Sequence, residues 1–427
     1  FHQNAVVATL HTLRERSLER MEGEIEQFSA NRPITLILPS LYSELEAPAL
    51  SHIVDELAQV PYISEIVIGL DQADRAQFDH AKAYFSRLPQ KHTILWHDGP
   101  RLSAIDARLA EADLAPDQPG KGRNVWYCMG YVLGARQSGV VALHDCDITT
   151  YSREMLARLI YPVANPAFPY VFSKGYYPRI AERSLNGRVT RLLVTPLLLS
   201  LERVIGHHPY IDYLKAFRYP LAGEFAMRTH LLPDIRIPSD WGLEIGVLSE
   251  LWRSYSNNAI CQVDIADAYD HKHQPLSQED AASGLSRMSI DISKALLRKL
   301  ATDGVVFSQE SLRTLKATYF RTALDLVEIY HNDARMNGLS TDRHREEQAV
   351  ELFAANLVEA GNIFLDNPNA TPFMPSWNRV QSALPDLLAS MQAAVRADRE
   401  DWPPRPPNSG RRRWIFRPPT GRCQQDS

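Results

Sequence analysis

Apolar residues in this chain follow two alternating rhythms. Three short runs, Ile34-Thr35-Leu36-Ile37-Leu38-Pro39, Glu65-Ile66-Val67-Ile68-Gly69-Leu70 and His92-Thr93-Ile94-Leu95-Trp96, are nearly continuous, as in strands buried on both faces. Between and after them, residues 47–59, 75–88 and 124–137 repeat apolar positions at helical spacing. Strands alternating with helices across short loops predict an α/β fold, a mostly parallel sheet flanked by helices with right-handed crossovers. A fourth run, Gly139-Val140-Val141-Ala142-Leu143, leads into His144-Asp145-Cys146-Asp147. If the strand continues through these residues, Asp145 and Asp147 leave on one face about 6.5–7 Å apart along it.

The rhythm changes on either side of this block. Residues 5–28 are expected as a single amphipathic helix, carried by Val6, Leu10, Leu13, Leu18, Met21 and Ile25. Beyond the fourth run, strands are expected at 170–177 and 261–265, a helix at 192–205, and another that the block 239–246 opens and that runs to about 255. Residues 290–301, 308–332, 342–360 and 377–397 then read as long helices with few strand signals. The chain therefore divides into an N-terminal helix (1–30), an α/β domain (31–277, halves 31–150 and 151–277), a helical C-terminal region (278–400) and a Pro/Arg-rich tail (401–427). Low apolar content makes that tail a candidate for disorder.

Composition narrows the function classes. The 427 residues carry a net charge of −5, which gives no general case for nucleic acid or membrane surfaces. No run approaches the ~18 apolar residues of a membrane span. The opening Phe1-His2-Gln3-Asn4 lacks the layout of a secretory signal. Four scattered cysteines (Cys128, Cys146, Cys261, Cys423) form no C-x-x-C, so the default expectation is a cytoplasmic protein without a disulfide framework or zinc knuckle. Neither G-x-G-x-x-G after the first strand nor G-x-x-x-x-G-K-[ST] is present, which removes support for dinucleotide and P-loop readings.

Candidate chemistry gathers at the ends of the strands, where open α/β sheets bind ligands. Two carboxylates at a buried strand's tip suit Mg²⁺ or Mn²⁺, although a chain of this length holds roughly one D-x-D by chance. Gly120-Lys121-Gly122 at a helix start offers free N–H groups and a cation, a place for phosphate or a plain turn.

With these blocks in order, the chain resembles the retaining glucosyl-3-phosphoglycerate synthases, nucleotide-sugar transferases of the GT-A fold with close relatives that transfer mannose. The resemblance rests on Leu38-Pro39-Ser40-Leu41, Gly120-Lys121-Gly122, Asp145-Cys146-Asp147, Gly187-Arg188-Val189-Thr190, Pro220-Leu221-Ala222-Gly223-Glu224-Phe225, Gly242-Leu243-Glu244-Ile245-Gly246, and His271 before Pro275-Leu276. It implies Asp147 and His271 as metal ligands, with Asp145 on the ribose or the metal's water shell. It implies a donor site of Pro39, Ser40, Leu41, Glu44, Lys121, Asp145, Cys146, Asp147 and Gly223. Gly187, Arg188, Thr190 and His273 would bind the acceptor, and Glu244, Lys121 and Asp147 would be the catalytic set. Three positions depart from the family pattern: Tyr42-Ser43 near the family's Asn-Glu pair, His273 at a common Asn, and Tyr269 at an arginine.

The resemblance implies a metal-dependent transfer, with Mg²⁺ or Mn²⁺, of glucose from UDP-, GDP- or ADP-glucose to the 2-hydroxyl of 3-phosphoglycerate. The α linkage would be retained, and a homodimer is expected. Rival readings are a mannosyl-3-phosphoglycerate synthase, a glycosylglycerate synthase acting on free glycerate, and a non-catalytic nucleotide-sugar-binding scaffold. A two-metal phosphohydrolase lacks a second carboxylate and histidine set.

Overall fold

A computed structural model of the chain describes residues 2–3, 6–116, 118–181, 183–270, 284–368 and 373–401. Its strands are β1 (Ala8–Leu10), β2 (Ile34–Leu41), β3 (Ile63–Asp71), β4 (Lys91–Trp96), β5 (Val140–Leu143), β6 (Phe172–Tyr176), β7 (Ile180–Ala181), β8 (Ser184–Leu185), β9 (Phe225–Arg228) and β10 (Ile260–Asp264). Eight of them form one sheet in the order β1-β10-β6-β9-β5-β2-β3-β4, and β7 pairs with β8 as a small hairpin. All neighbours in the large sheet run parallel except β9, which is antiparallel to both β5 and β6.

Because strand side chains alternate, β2 feeds two cores. Leu36 and Leu38 join a cluster with Ile25, Ile53, Phe78 and Leu159. Ile37 faces the opposite cluster, with Val67, Val141 and Trp126. The first face is covered by α1 (Leu18–Ser29), α2 (Pro48–Leu57), α3 (Arg75–Phe85) and α6 (Arg153–Ala164). The second carries α4 (Pro100–Glu111), α5 (Lys121–Ala135), α7 (Thr195–Ile205), α8 (Pro209–Ala216) and α9 (Leu243–Ser254).

The C-terminal helices are α10 (Gly284–Thr302), α11 (Gln309–Met336), α12 (Arg343–Asp366), α13 (Trp377–Ala383) and α14 (Leu387–Glu400). They share the second core: Leu296, Tyr319, Phe353, Trp377 and Met391 belong to the same cluster as Val67 and Val141. Trp377 stacks on Trp126 of α5 with ring centroids 4.1 Å apart, and each indole N–H donates to a main-chain carbonyl, Trp377 to Trp126 and Trp126 to Pro375.

Three expected elements differ. The helix expected over 5–28 begins only at Leu18, where the Ser17 hydroxyl accepts from the Arg20 N–H as an N-cap. Residues 8–10 instead extend the sheet beside β10, since edge pairing satisfies backbone groups that a helix start would leave to water. The helix expected over 377–397 is two helices, broken by Pro385, which lacks the N–H a continuous helix needs. The strand ending in the acids stops at Leu143, so Asp145 and Asp147 stand in the turn beyond it. Period-two burial persists there nonetheless, with Cys146 and Ile148 buried and the two acids partly exposed.

Candidate active site

The site is set by register. Leu143 of β5 pairs with Phe225 of β9, so continuing the antiparallel count brings Gly223 alongside Asp145. The approach is close: a Cβ on Gly223 would lie 2.6 Å from Asp145 Oδ2 and 3.0 Å from Lys121 Nζ. Only glycine fits there without moving both charged groups.

Lys121 is the first residue of α5 and Glu244 the second of α9. What brings them together is Pro238, against which Gly122 and Gly246 both rest. A Cβ on Gly122 would meet the Pro238 carbonyl oxygen at 2.2 Å, and one on Gly246 the Pro238 ring at 2.4 Å. With the two helix starts drawn to one proline, Lys121 Nζ reaches Asp145 Oδ1 at 2.6 Å and Glu244 Oε1 at 3.2 Å. Burial opposes the charge on Lys121, but Asp145 and Glu244 outweigh it and hold the ammonium's pKa above its ordinary value. Asp147 is pushed up to about 7, by burial first and then by the charge of Asp145, with Lys121 acting the other way.

Behind these groups lies a layer that sequence reasoning missed. Glu224 is fully buried and accepts from the Tyr177 hydroxyl at 2.5 Å and the Tyr269 hydroxyl at 2.7 Å. The two phenol rings stack 3.8 Å apart and nearly parallel, and the Arg179 guanidinium lies 5.3 Å from the Tyr269 ring centre. Burial, followed by Asp145, raises the Glu224 pKa. Lys174, inside the wholly buried β6, donates to the Ala222 carbonyl at 2.5 Å, and burial lowers its pKa to about 8. A lysine in the middle of a short strand between two aromatic residues, Phe172 and Tyr176, was the visible signal for this layer. Tyr269, which departs from the family's arginine, is thus a hydrogen-bonding and stacking element.

The other residues named from sequence fall in three groups. Pro39, Ser40 and Leu41 end β2, and Glu44 is buried in the short 3-10 turn that follows. The Ser40 hydroxyl is buried and donates to the Leu41 carbonyl, and the Cys146 thiol is sealed in the core, which leaves the main chain of Cys146 as its part of any site. Gly187, Arg188 and Thr190 form the entry to a π-helical segment, Val189–Val194, that continues into α7. Thr190 is buried, and its hydroxyl has no hydrogen-bond partner among the described residues.

His271 and His273 lie outside the described residues. Asp270, the last described residue before them, is bonded to the turn just after Asp147: Thr149 N–H donates to the Asp270 carbonyl at 2.9 Å, and Asp270 N–H to the Thr150 hydroxyl at 3.1 Å.

The arrangement unites a carboxylate pair, a half-buried ammonium and a helix-start carboxylate at the sheet's C-terminal edge. Such a set can hold a hard cation and neutralise a leaving diphosphate. Comparison with known proteins agrees. The glucosyl-3-phosphoglycerate synthase of Persephonella marina is 45% identical over 401 residues, covering 94% of this chain and 99% of that protein. The enzyme of the same name from Methanococcoides burtonii is 38% identical over 405 residues, covering 93% and 97%. Among solved structures, a glucosyl-3-phosphoglycerate synthase from Mycobacterium tuberculosis, in complex with Mn²⁺, UDP-glucose and phosphoglyceric acid, shares the fold. It has a TM-score of 0.51 and 21% identity over 69% of this chain and 88% of that one. No family model matches the chain.

Proposed function

Because the chain belongs to the glucosyl-3-phosphoglycerate synthase family, we propose that it transfers glucose from a nucleoside-diphosphate glucose, UDP-glucose first, to the 2-hydroxyl of 3-phosphoglycerate. The observation that carries this reading is the Lys121 contact with Asp145 and Glu244, which joins three separate sequence blocks at one point.

The donor set fits a divalent cation. Burial, and next the charge of Asp145, push Asp147 upward, and a cation between the two carboxylates would favour its charged form. Asp147, with Asp145 and His271 on the family pattern, would hold Mg²⁺ or Mn²⁺, which when bound neutralises the diphosphate. The chain's own residues do the rest. Lys121 meets the charge that grows on the leaving phosphate. Arg188 and Thr190 grip the acceptor's anionic end, since a guanidinium fork and a hydroxyl suit phosphate and carboxylate. Glu244, fixed by Lys121, orients the sugar or the acceptor alcohol. The acceptor oxygen bonds to the anomeric carbon as the carbon–phosphate-oxygen bond breaks, on the same face. The acceptor proton passes to the departing phosphate oxygen, so the α configuration is kept without a covalent intermediate.

In this proposal the donor contacts come from residues 31–150 with Gly223 from the second half, and the acceptor contacts of the family pattern from residues 151–277. Cytoplasmic residence is supported by three buried free thiols, Cys128, Cys146 and Cys261, which a reducing compartment preserves. A homodimer is part of the same proposal and is read directly by light scattering on a sizing column. The deciding experiment is a matrix of UDP-, GDP- and ADP-sugars against 3-phosphoglycerate and glycerate, with Mg²⁺ or Mn²⁺. Glucosyl-3-phosphoglycerate as the main product is the expected result. Donor binding with no transfer to either acceptor would leave a scaffold and overturn the reading, and Asp147→Ala should lower turnover by about 10³-fold or more.

A further inference from the structure

The C-terminal region touches the acceptor segment through more than packing. Ser340, just ahead of α12, bonds along β8 on either side of Ser184: its N–H donates to the Arg183 carbonyl at 2.8 Å, and its carbonyl accepts from the Leu185 N–H at 3.1 Å. One turn into α12, Glu346 meets Arg191 at 2.5 Å in a pair that is buried on both sides. Arg191 also donates to the carbonyls of Asn186 and Leu185, which locks the loop carrying Gly187 and Arg188.

Arg188 has helical dihedrals and stands at the start of the π-helical segment that Arg191 ties to α12. The tie is made at the start of α12, where Arg345 adjoins Glu346. Its neighbour Arg343 is occupied by Glu328 and Glu347. Arg345 has an exposed side chain that makes no ion pair or hydrogen bond among the described residues. The segment therefore gathers Arg188, Arg191 and Arg345 against one paired carboxylate, Glu346, with Asp342 spent on capping α12. Two buried donors there, the Thr190 hydroxyl and Arg191 Nη1, have no partner among the described residues. Burial, and next the charge of Arg345, lower the Arg188 pKa, so the field of Arg345 reaches Arg188. Excess positive charge with unused donors is the environment a phosphate dianion completes.

We propose that Arg345, carried by the C-terminal helix α12, is a specificity-determining residue that binds the acceptor's phosphate monoester together with Arg188. This rests on the acceptor role of Arg188 given above. It makes the helical region a working part of the acceptor site.

The test measures 3-phosphoglycerate and glycerate binding calorimetrically, and steady-state kinetics, for Arg345→Ala, Arg345→Lys and Arg188→Ala in the full chain. Arg345→Ala should weaken 3-phosphoglycerate binding and raise its KM about 10- to 100-fold, the range of a hydrogen bond to a charged group. Donor KM, kcat and melting temperature should stay unchanged. Glycerate should be unaffected, so its disadvantage against the phosphorylated acceptor should shrink by the same factor, and Arg345→Lys should recover part of the loss. If Arg188→Ala weakens 3-phosphoglycerate binding while Arg345→Ala does not, this inference fails and the acceptor reading stands. An Arg188→Ala protein with normal affinity sinks both. A parallel loss in donor KM or melting temperature makes Arg345 a structural residue and also overturns the proposal.

Discussion

At Gly223 a single methyl decides whether two charges can meet. Gly223→Ala would push Asp145 and Lys121 apart, because its Cβ would fall 2.6 Å from one and 3.0 Å from the other. The expected result is a fall in kcat/KM of about 10²-fold, in line with a 1 Å misplacement of reacting groups, at near-normal melting temperature. Lys121→Met should be more severe, since it also leaves Asp145 and Glu244 without their shared cation. Turnover should drop by roughly 10²–10³-fold, measurable with saturating donor.

A different single-residue test concerns stability. Asp71, at the end of β3, accepts from the Asn124 side chain at 2.8 Å, yet burial lifts its pKa from 3.8 to about 6. A carboxyl raised in the folded state favours its neutral form, so its contribution to stability is greatest below pH 3.8 and declines as pH rises through 6. Asp71→Asn should therefore stabilise the ligand-free protein at pH 8 by up to roughly 3 kcal/mol, at 1.36 kcal/mol per pH unit, and by nothing at pH 3. Melting curves of both proteins across that range check the sign.

At the scale of elements, Pro238 acts as the spacer between α5 and α9. Gly122→Ala places a methyl against its carbonyl oxygen, and backbone cannot yield as a flexible side chain would. A loss of about 1–3 kcal/mol in urea unfolding is expected, together with a higher donor KM as Lys121 is displaced. Local features of this kind were legible beforehand. Gly120-Lys121-Gly122 read as a helix start, and Asp145 and Asp147 read as a pair on one side, because each depends on a few adjacent residues.

What stayed hidden depends on partners far along the chain. Residues 8–10 carry an ambiguous apolar pattern, and only the place open beside β10 makes them a strand. Phe225–Arg228 is too short to announce its antiparallel direction, although that direction is what seats Gly223 beside Asp145. Glu224 was visible as part of a motif, but its tie to Tyr177 and Tyr269 spans more than forty residues in each direction. Periodicity carries no information at that range.

Across the whole molecule, one face of the sheet and the helices on it, α4, α5 and α7 to α9, share a single core with the C-terminal helices. Trp377, Tyr319 and Phe353 are buried in the same cluster as strand residues Val67 and Val141, and the Tyr319 hydroxyl donates to the Leu192 carbonyl at 2.6 Å. A fragment of residues 31–277, which the sequence pattern suggests as a unit, would expose to water the part of that core the C-terminal helices cover, Trp126 included. It should be insoluble or lack cooperative unfolding, and Trp377→Ala in the full chain should cost about 3–5 kcal/mol. A soluble, cooperatively melting fragment would contradict a shared core.

The paired indoles of Trp126 and Trp377 also give the molecule a built-in optical gauge. Two such chromophores 4.1 Å apart and inclined by 21° couple their electronic transitions, which should leave a signature in near-ultraviolet circular dichroism. One ring rides on the helix whose first residue is Lys121, the other on the C-terminal region. Loss of that signal in a titration with denaturant would therefore time the undocking of the two halves, with no label attached.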